Sequence, residues 1–384
     1  MPLLFLLLGL CSFAFAEEYT QLADTGRIQP LFIDGKYANP FPIDSSKIFP
    51  KEKRTLRRKF FGPQGVNPSK PLYSQPVNIP QALPEDLNGL YVTWLGHSSV
   101  LMQIDGIRLL LDPMFSDNIS PAPLIRNIPR FQKNTPIDVD KLPFIDAVFI
   151  SHNHLDHINP GTILALAPKT GYFLVPSGVG TYLKRWGVSS AQIREYSWWQ
   201  EGVLQGLSGK HLRFVCTPAY HKSRRGIFDL NKSLWASWVF IGSKHRVFFS
   251  GDTGYSLHFK QIGHHFGPFD LTIMENGQYN TDWPFSHIFP EEGVQAHLDL
   301  GGKSILPIHW GSFGFSTHDW REPPERLIRA AEARGVLLRI PQIGQTFSID
   351  DPPTIDAWWR EISRAPQTGR DIPETTPQTV PNYP

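Results

Sequence analysis

Ser151-His152-Asn153-His154-Leu155-Asp156-His157 follows directly on the apolar run Ala147-Val148-Phe149-Ile150, so the chain leaves a buried strand and at once presents three imidazoles and a carboxylate. In an extended segment residues two apart face the same way, which lets His152 and His154 converge on one ion. The turn beyond aims Asp156 and His157 at a neighbouring position. Such a density of polar groups is expensive to pack unless something binds it, and the stretch reads as part of a metal site. The alternative for the stretch alone is a hydrogen-bonded polar loop.

Working outward, short runs of β-branched and aromatic residues broken by Gly, Asp and Pro predict strands over 90–95, 99–104, 107–111, 147–150, 172–175, 212–217, 237–242, 247–250, 271–274 and 304–308. Asp105-Gly106 between two of them signals a hairpin, since both residues tolerate positive φ. Ser177 is placed to cap a helix over 178–186 before Gly187; Pro290-Glu291-Glu292 opens another that ends near Gly301; a third runs over 323–334 to Gly335, with Leu327, Ile328 and Ala331 as its apolar stripe. Strands with helices interspersed, rather than strict alternation, predict an α+β fold in which helices cover packed sheets. Three more polar residues follow apolar strands directly: His221, Asp252 and His309. A lone histidine is usually structural, but their common placement at strand ends makes them the remaining candidate ligands.

The His-x-His-x-Asp-His pattern with a downstream histidine, aspartate and histidine resembles the metallo-β-lactamase superfamily. Longer stretches resemble the N-acyl-phosphatidylethanolamine-hydrolysing phospholipase D family. They are Thr217-Pro218-Ala219-Tyr220-His221, Asn231-Lys232-Ser233-Leu234-Trp235-Ala236-Ser237-Trp238, Phe249-Ser250-Gly251-Asp252-Thr253-Gly254-Tyr255, Ile262-Gly263, Phe266-Gly267-Pro268-Phe269-Asp270-Leu271, Pro290-Glu291-Glu292 and Ile308-His309-Trp310-Gly311. Trp94-Leu95-Gly96-His97, Asp112-Pro113 and Tyr37-Ala38-Asn39-Pro40-Phe41-Pro42 extend the likeness over about residues 30–335.

The resemblance implies an αββα sandwich of two packed sheets flanked by helices, and two zinc ions per chain. One would be held by His152, His154 and His221, the other by Asp156, His157 and His309, with Asp252 bridging them roughly 3.5 to 4 Å apart. It further implies attack of water on phosphorus, with Asp156 and Asp252 orienting the water and taking its proton. His287, just before Pro290-Glu291-Glu292, would contact substrate and stabilise a phosphoryl oxygen or assist the leaving group. Leu155 stands where the mammalian enzyme has an aromatic that contacts substrate, and Met274-Glu275-Asn276-Gly277-Gln278-Tyr279-Asn280 and Asp282-Trp283-Pro284 also depart from it. These departures bear on the acyl substrate rather than on the metals. The implied activity is a phospholipase D-type phosphodiesterase that releases a phosphatidic acid from N-acyl-phosphatidylethanolamine or a related phospholipid; the alternative is a metal-dependent lactonase or another hydrolase of the same fold. Mixed imidazole and carboxylate ligands also suit iron or manganese.

Composition sets the frame. The 384 residues, 41% hydrophobic and 19% charged, suffice for a substantial core, and a net charge of +2 gives no field that argues for nucleic acid. Residues 1–16 form an apolar run ending in Ala14-Phe15-Ala16 and read as a secretory signal, which predicts an exported, periplasmic or membrane-associated protein; without a basic start, an uncleaved anchor or a misplaced start codon are the rivals. Cys11 lies in that run, leaving Cys216 alone as a buried small hydrophobe. Residues 17–85, rich in Pro, Asn and Ser, read as an extension wrapped on a domain over 86–350, and 351–384 as a Pro-rich tail. The basic run at 51–59 reads as a solvated helix face, with peripheral contact to a lipid surface as the alternative. Trp198, Trp199, Trp235, Trp238, Tyr279, Trp283, Phe285 and Trp310 read mostly as core, some of them as the wall of a lipid cleft. A homodimer is admitted as an expectation; a nucleic-acid partner is not.

Overall fold

A computed structural model describes residues 26–40, 66–122, 126–351 and 356–362. The signal-like run 1–16 and the basic run 51–59 lie outside the described residues. Two small hairpins, β1 (Leu31–Ile33) with β2 (Lys36–Ala38), and β6 (Asn118–Ala122) with β7 (Arg126–Pro129), decorate two seven-stranded sheets.

The first sheet contains β3 (Leu90–Trp94), β4 (Val100–Ile104), β5 (Ile107–Leu111), β8 (Ile145–Phe149), β9 (Thr170–Pro176), β10 (Ile193–Tyr196) and β18 (Thr346–Ser348), in the order β10-β9-β8-β5-β4-β3-β18. The second runs β11 (Glu201–Gln205), β12 (His211–Thr217), β13 (Ser237–Ile241), β14 (Arg246–Phe249), β15 (Leu271–Glu275), β16 (Ser304–Ile308) and β17 (Leu337–Leu338), each beside its predecessor. In both, antiparallel pairing gives way to parallel pairing along the sheet: β5 to β8 and β9 in the first, β14 to β15 and β16 in the second.

Strands buried on both faces read as continuous apolar runs rather than alternations, and β4 shows why. Val100, Met102 and Ile104 point into the core between the sheets, whereas Leu101 points to the helices outside. Phe149 of the first sheet meets Phe214, Trp238 and Phe240 of the second edge-on, with centroids 5.2, 5.0 and 4.8 Å away. Each such ring contributes about 1.5–3 kcal/mol by burial. Among the described residues six α-helices complete the layers: α1 (Ile79–Ala82), α2 (Pro160–Leu166), α3 (Gly180–Trp186), α4 (His258–Phe266), α5 (Pro290–Asp299) and α6 (Glu322–Glu332). Ile163, Leu166, Val179 and Leu183 from α2, α3 and the turn into α3 cover the outer face of the first sheet, while Phe259, Ile262, Val294 and Leu327 from α4, α5 and α6 join the cluster of the second. This is the αββα sandwich.

The hairpin at Asp105 and Gly106 takes positive φ at both residues, 46° and 81°. Two expectations need correction. Ser177 does not cap α3, whose N-cap is Val179 with no side-chain hydrogen bond; Ser177 instead spends its backbone amide on the Tyr196 carbonyl of β10. The boundary at 351 falls too early, because Trp358 and Trp359 are buried, and Trp358 stacks on Trp310 at 5.6 Å. Composition sees the prolines of this segment and not its two indoles. Among the described residues no helix is long and apolar enough to cross a membrane.

Candidate metal centre

The C-terminal ends of β8, β12, β14 and β16 deliver His152 and His154, His221, Asp252, and His309 to one edge of the sandwich. The motif that begins at Ser151 is clamped before it reaches that edge. Trp238 donates its indole N–H to the Ile150 carbonyl (2.9 Å), and the Ala236 amide donates to the Ser151 carbonyl (2.9 Å), so the second sheet sets the position of residues on the first. Gly251 makes the turn before Asp252 at φ 56°, where a Cβ would meet the Ser151 Cβ at 2.5 Å.

Two clusters result, and the ligand atoms in each lie within 4.8 Å of one another. In the first, His221 Nε2 is 3.2 Å from His154 Nδ1, and His152 Nε2 and His221 Nε2 are each 3.8 Å from Asp252 Oδ2. In the second, His157 Nε2 is 3.4 Å from Asp156 Oδ2 and 3.2 Å from Asp252 Oδ2, and His309 Nε2 is 3.3 Å from each of those oxygens. Asp252 Oδ2 therefore faces both clusters. The structure adds His97, whose Nε2 is 2.9 Å from Asp156 Oδ2. The residues singled out in the sequence as candidate ligands lie together at this edge, His152, His154 and His221 with Asp252 in one group and Asp156, His157 and His309 with His97 in the other.

A surrounding shell fixes which nitrogen each imidazole turns inward. Asp112, fully buried, takes His157 Nδ1 (2.7 Å), the Ser151 amide (2.7 Å) and the Ser151 hydroxyl (2.6 Å). The Ser286 carbonyl takes His221 Nδ1 at 2.8 Å, and Glu275 Oε1 lies 3.2 Å from His309 Nδ1. Hydrogen bonds of this kind settle the tautomer and leave Nε2 for an ion. His97, Asp112 and His309 hold φ of 51°, 38° and 66°, a left-handed conformation that costs non-glycine residues of order 1–3 kcal/mol each. The strain is held by packing: Trp94 donates to the His97 carbonyl (2.8 Å), the His309 amide donates to the same carbonyl (2.9 Å), and Trp94 stacks on Trp310 at 5.0 Å.

The charges fit cations. Burial first, then neighbouring imidazoles, keep His152 and His221 well below the ordinary histidine range, and His154 falls to about 4, so these rings are neutral and able to ligate. Burial opposes the charged form of His309 as well, but Asp252, Asp156 and Glu275 outweigh it and push it up to about 10; Asp252, Asp156 and Asp112 likewise raise His157 well above the ordinary range. Asp156 and Asp252 thus favour positive charge at His157 and His309, a charge that bound cations would supply instead. Among the described residues His152 Nε2, His157 Nε2 and Asp252 Oδ1 are buried without a hydrogen-bond partner, an arrangement too costly to persist unless an ion satisfies it.

His287 stands at the rim, its Nδ1 bonded to Glu275 Oε1 and its ring parallel to His309 at 5.2 Å. Leu155 is half-buried in a small apolar cluster with Met114, Ile119 and Phe313. Of the aromatics, Trp198, Trp199, Trp235, Trp238, Tyr279 and Trp310 are core, and only Trp283 and Phe285 keep appreciable exposure. Sequence reading gave no role to His97, Asp112 or Glu275. Each also ends or follows a strand, and His97 and Asp112 lie in stretches that carry the family resemblance, but none belongs to the ligand set that the resemblance implies.

The model of the beta-lactamase superfamily domain matches residues 107–310, and the chain belongs to that superfamily as a metal-dependent hydrolase. Within it, the chain is similar to an uncharacterized protein of Mycobacterium tuberculosis, 40% identical over 351 residues that span 90% of this chain and 92% of the relative. It is also similar to the N-acyl-phosphatidylethanolamine-hydrolyzing phospholipase D 1 of Caenorhabditis elegans, 33% identical over 257 residues, 64% of this chain and 71% of the relative. Among solved structures, the isothiocyanate hydrolase from Delia radicum gut bacteria shares the fold with a TM-score of 0.51 at 17% identity, covering 67% of this chain and 98% of the other.

Proposed function

We propose that the protein is a two-zinc phosphodiesterase of phospholipase D type, which cleaves N-acyl-phosphatidylethanolamine or a related phospholipid to a phosphatidic acid. The observation that carries this reading is Asp252 Oδ2 facing both clusters, the arrangement that a carboxylate shared by two cations requires. His152, His154 and His221 would hold one ion, Asp156, His157 and His309 the other, and Asp252 both. Ions so placed would acidify water to give a nucleophile near neutral pH and neutralise charge on the phosphoryl oxygens. Asp156 and Asp252 orient the attacking water, His97 fixes Asp156, and His287 reaches the substrate from the rim. No side-chain nucleophile is needed.

Contact with a phospholipid surface belongs to the same proposal. Ile227 and Phe228 are 78% and 86% exposed on a turn that Asp229 ties down by accepting the amides of Arg225 (3.0 Å) and Gly226 (2.7 Å). Arg225 in turn donates to the carbonyls of Asn153 (3.1 Å) and Ile158 (2.9 Å), which fastens the turn to the ligand motif. Two bulky apolar side chains displayed beside cationic Lys222 and Arg224 suit the boundary between headgroups and acyl chains. The apolar run ending in Ala14-Phe15-Ala16 supports export to such a surface.

The test is to incubate the zinc-loaded protein with vesicles of N-acyl-phosphatidylethanolamine, of phosphatidylethanolamine, and with a lactone. Phosphatidic acid detected by mass spectrometry supports the reading. Lactone opening without diester cleavage would replace it with the lactonase alternative.

A further inference from the structure

Glu275 ends β15 with its side chain fully buried, yet it lies outside the ligand set described above. A buried carboxylate is costly unless several donors meet it. Here Oε2 accepts the Thr253 amide at 2.7 Å, next to Asp252, while Oε1 takes His287 Nδ1 and lies 3.2 Å from His309 Nδ1. Asp252, Glu275, His287 and His309 are close enough to form a third metal-sized cluster. Both Glu275 oxygens are already engaged by N–H donors, however, and His309 turns its other nitrogen, Nε2, to Asp156 and Asp252. Glu275 is therefore an acceptor of hydrogen bonds behind the centre, not a ligand within it.

We propose that Glu275 is a positioning residue for His287: by holding Nδ1 it presents Nε2 as the proton donor to the oxygen that leaves phosphorus. The inference rests on the phosphodiester reading. As the bond from water oxygen to phosphorus forms and the bond from phosphorus to the leaving oxygen breaks, the electron pair stays on the leaving oxygen and the Nε2 proton moves to it. The proton lost by water then restores the imidazolium, so that diester and water give monoester and alcohol. The carboxylate fixes the ring orientation, so that Nδ1 stays turned to Glu275 and Nε2 to the substrate.

The leaving group makes the test. An alkoxide needs the proton; p-nitrophenolate does not. With zinc in excess so that both ions stay bound, Glu275→Gln should lower kcat on short-chain phosphatidylethanolamine by about 10²-fold with KM nearly unchanged, and lower kcat on bis(p-nitrophenyl) phosphate by a factor at least about tenfold smaller. Equal losses on both diesters with both ions bound would overturn the proposal. A second readout needs no activity: the wild type should show a downfield imidazole N–H proton resonance that disappears in both Glu275→Gln and His287→Ala, and its absence from the wild type would also overturn the proposal. A wild-type protein that cleaves neither diester sinks the proposed function, and the resonance then decides the Glu275–His287 pair on its own.

Discussion

Asp112 Oδ2 lies 2.7 Å from His157 Nδ1, and both side chains are fully buried. The contact is a bridge within the first sheet, from the end of β5 to the turn after β8, and it aims His157 Nε2 at Asp156 and Asp252. Because outer-shell carboxylates of this kind typically hold 10- to 100-fold in metal affinity, Asp112→Asn should weaken one ion by about that factor and spare the other. Chelator competition followed by elemental analysis checks it: the variant should pass through a state with one ion per chain at a chelator concentration where the wild type keeps two.

Far from the centre, Asp105 in the β4–β5 turn accepts His245 Nδ1 (2.7 Å) and the Lys244 amide (2.8 Å) from the β13–β14 turn, pinning the two sheets together. The hydrogen bond to Asp105 raises His245 above its ordinary 6.5, with burial opposing; burial also opposes the ionisation of Asp105, but His245 and Lys244 hold it below 3.8. A raised histidine contributes stability that is complete below pH 6.5 and fades as pH climbs through the folded value; a lowered aspartate contributes above pH 3.8 and fades on acidification. The pair is thus strongest between those limits. Urea unfolding should find His245→Ala less stable than wild type by about 1 kcal/mol at mildly acid pH, the pair being partly screened by solvent, with the gap shrinking in alkaline buffer.

Ile227 and Phe228 give the lipid-surface reading a direct check. Burying each side chain in the headgroup boundary contributes up to about 1.5–3 kcal/mol, so replacing both with serine should reduce sedimentation with anionic vesicles by more than about tenfold. Hydrolysis of a water-soluble diester should be unchanged, since neither residue reaches the ligands. Equal vesicle binding by variant and wild type would remove this turn from the account.

How far the fold and the centre could be read beforehand depended on the residues concerned. The strands buried on both faces announced themselves, because β4, β5, β8 and β16 are nearly continuous apolar runs; 107–111 and 304–308 match the structure to the residue. The edge strands β10, β11 and β17 did not, for they expose polar faces or are only two residues long. Helix α4 was missed because His258, His264 and His265 interrupt an apolar stripe that Phe259, Ile262 and Phe266 nonetheless bury. The candidate ligands stood out since each follows a strand. His97, Asp112 and Glu275 did not, as each acts through a partner distant in the chain, Asp156, His157 and His309, that only the pairing of strands brings beside it.

The central claim, that one carboxylate serves two ions, is tested most directly by titrating metal-free protein with zinc while following release of phosphatidic acid from N-acyl-phosphatidylethanolamine vesicles. The account predicts that activity rises to a plateau as two zinc ions per chain are bound, and that Asp252→Asn binds fewer than two and stays inactive at any zinc concentration. Full activity with a single ion bound, or an active Asp252→Asn protein, would contradict it.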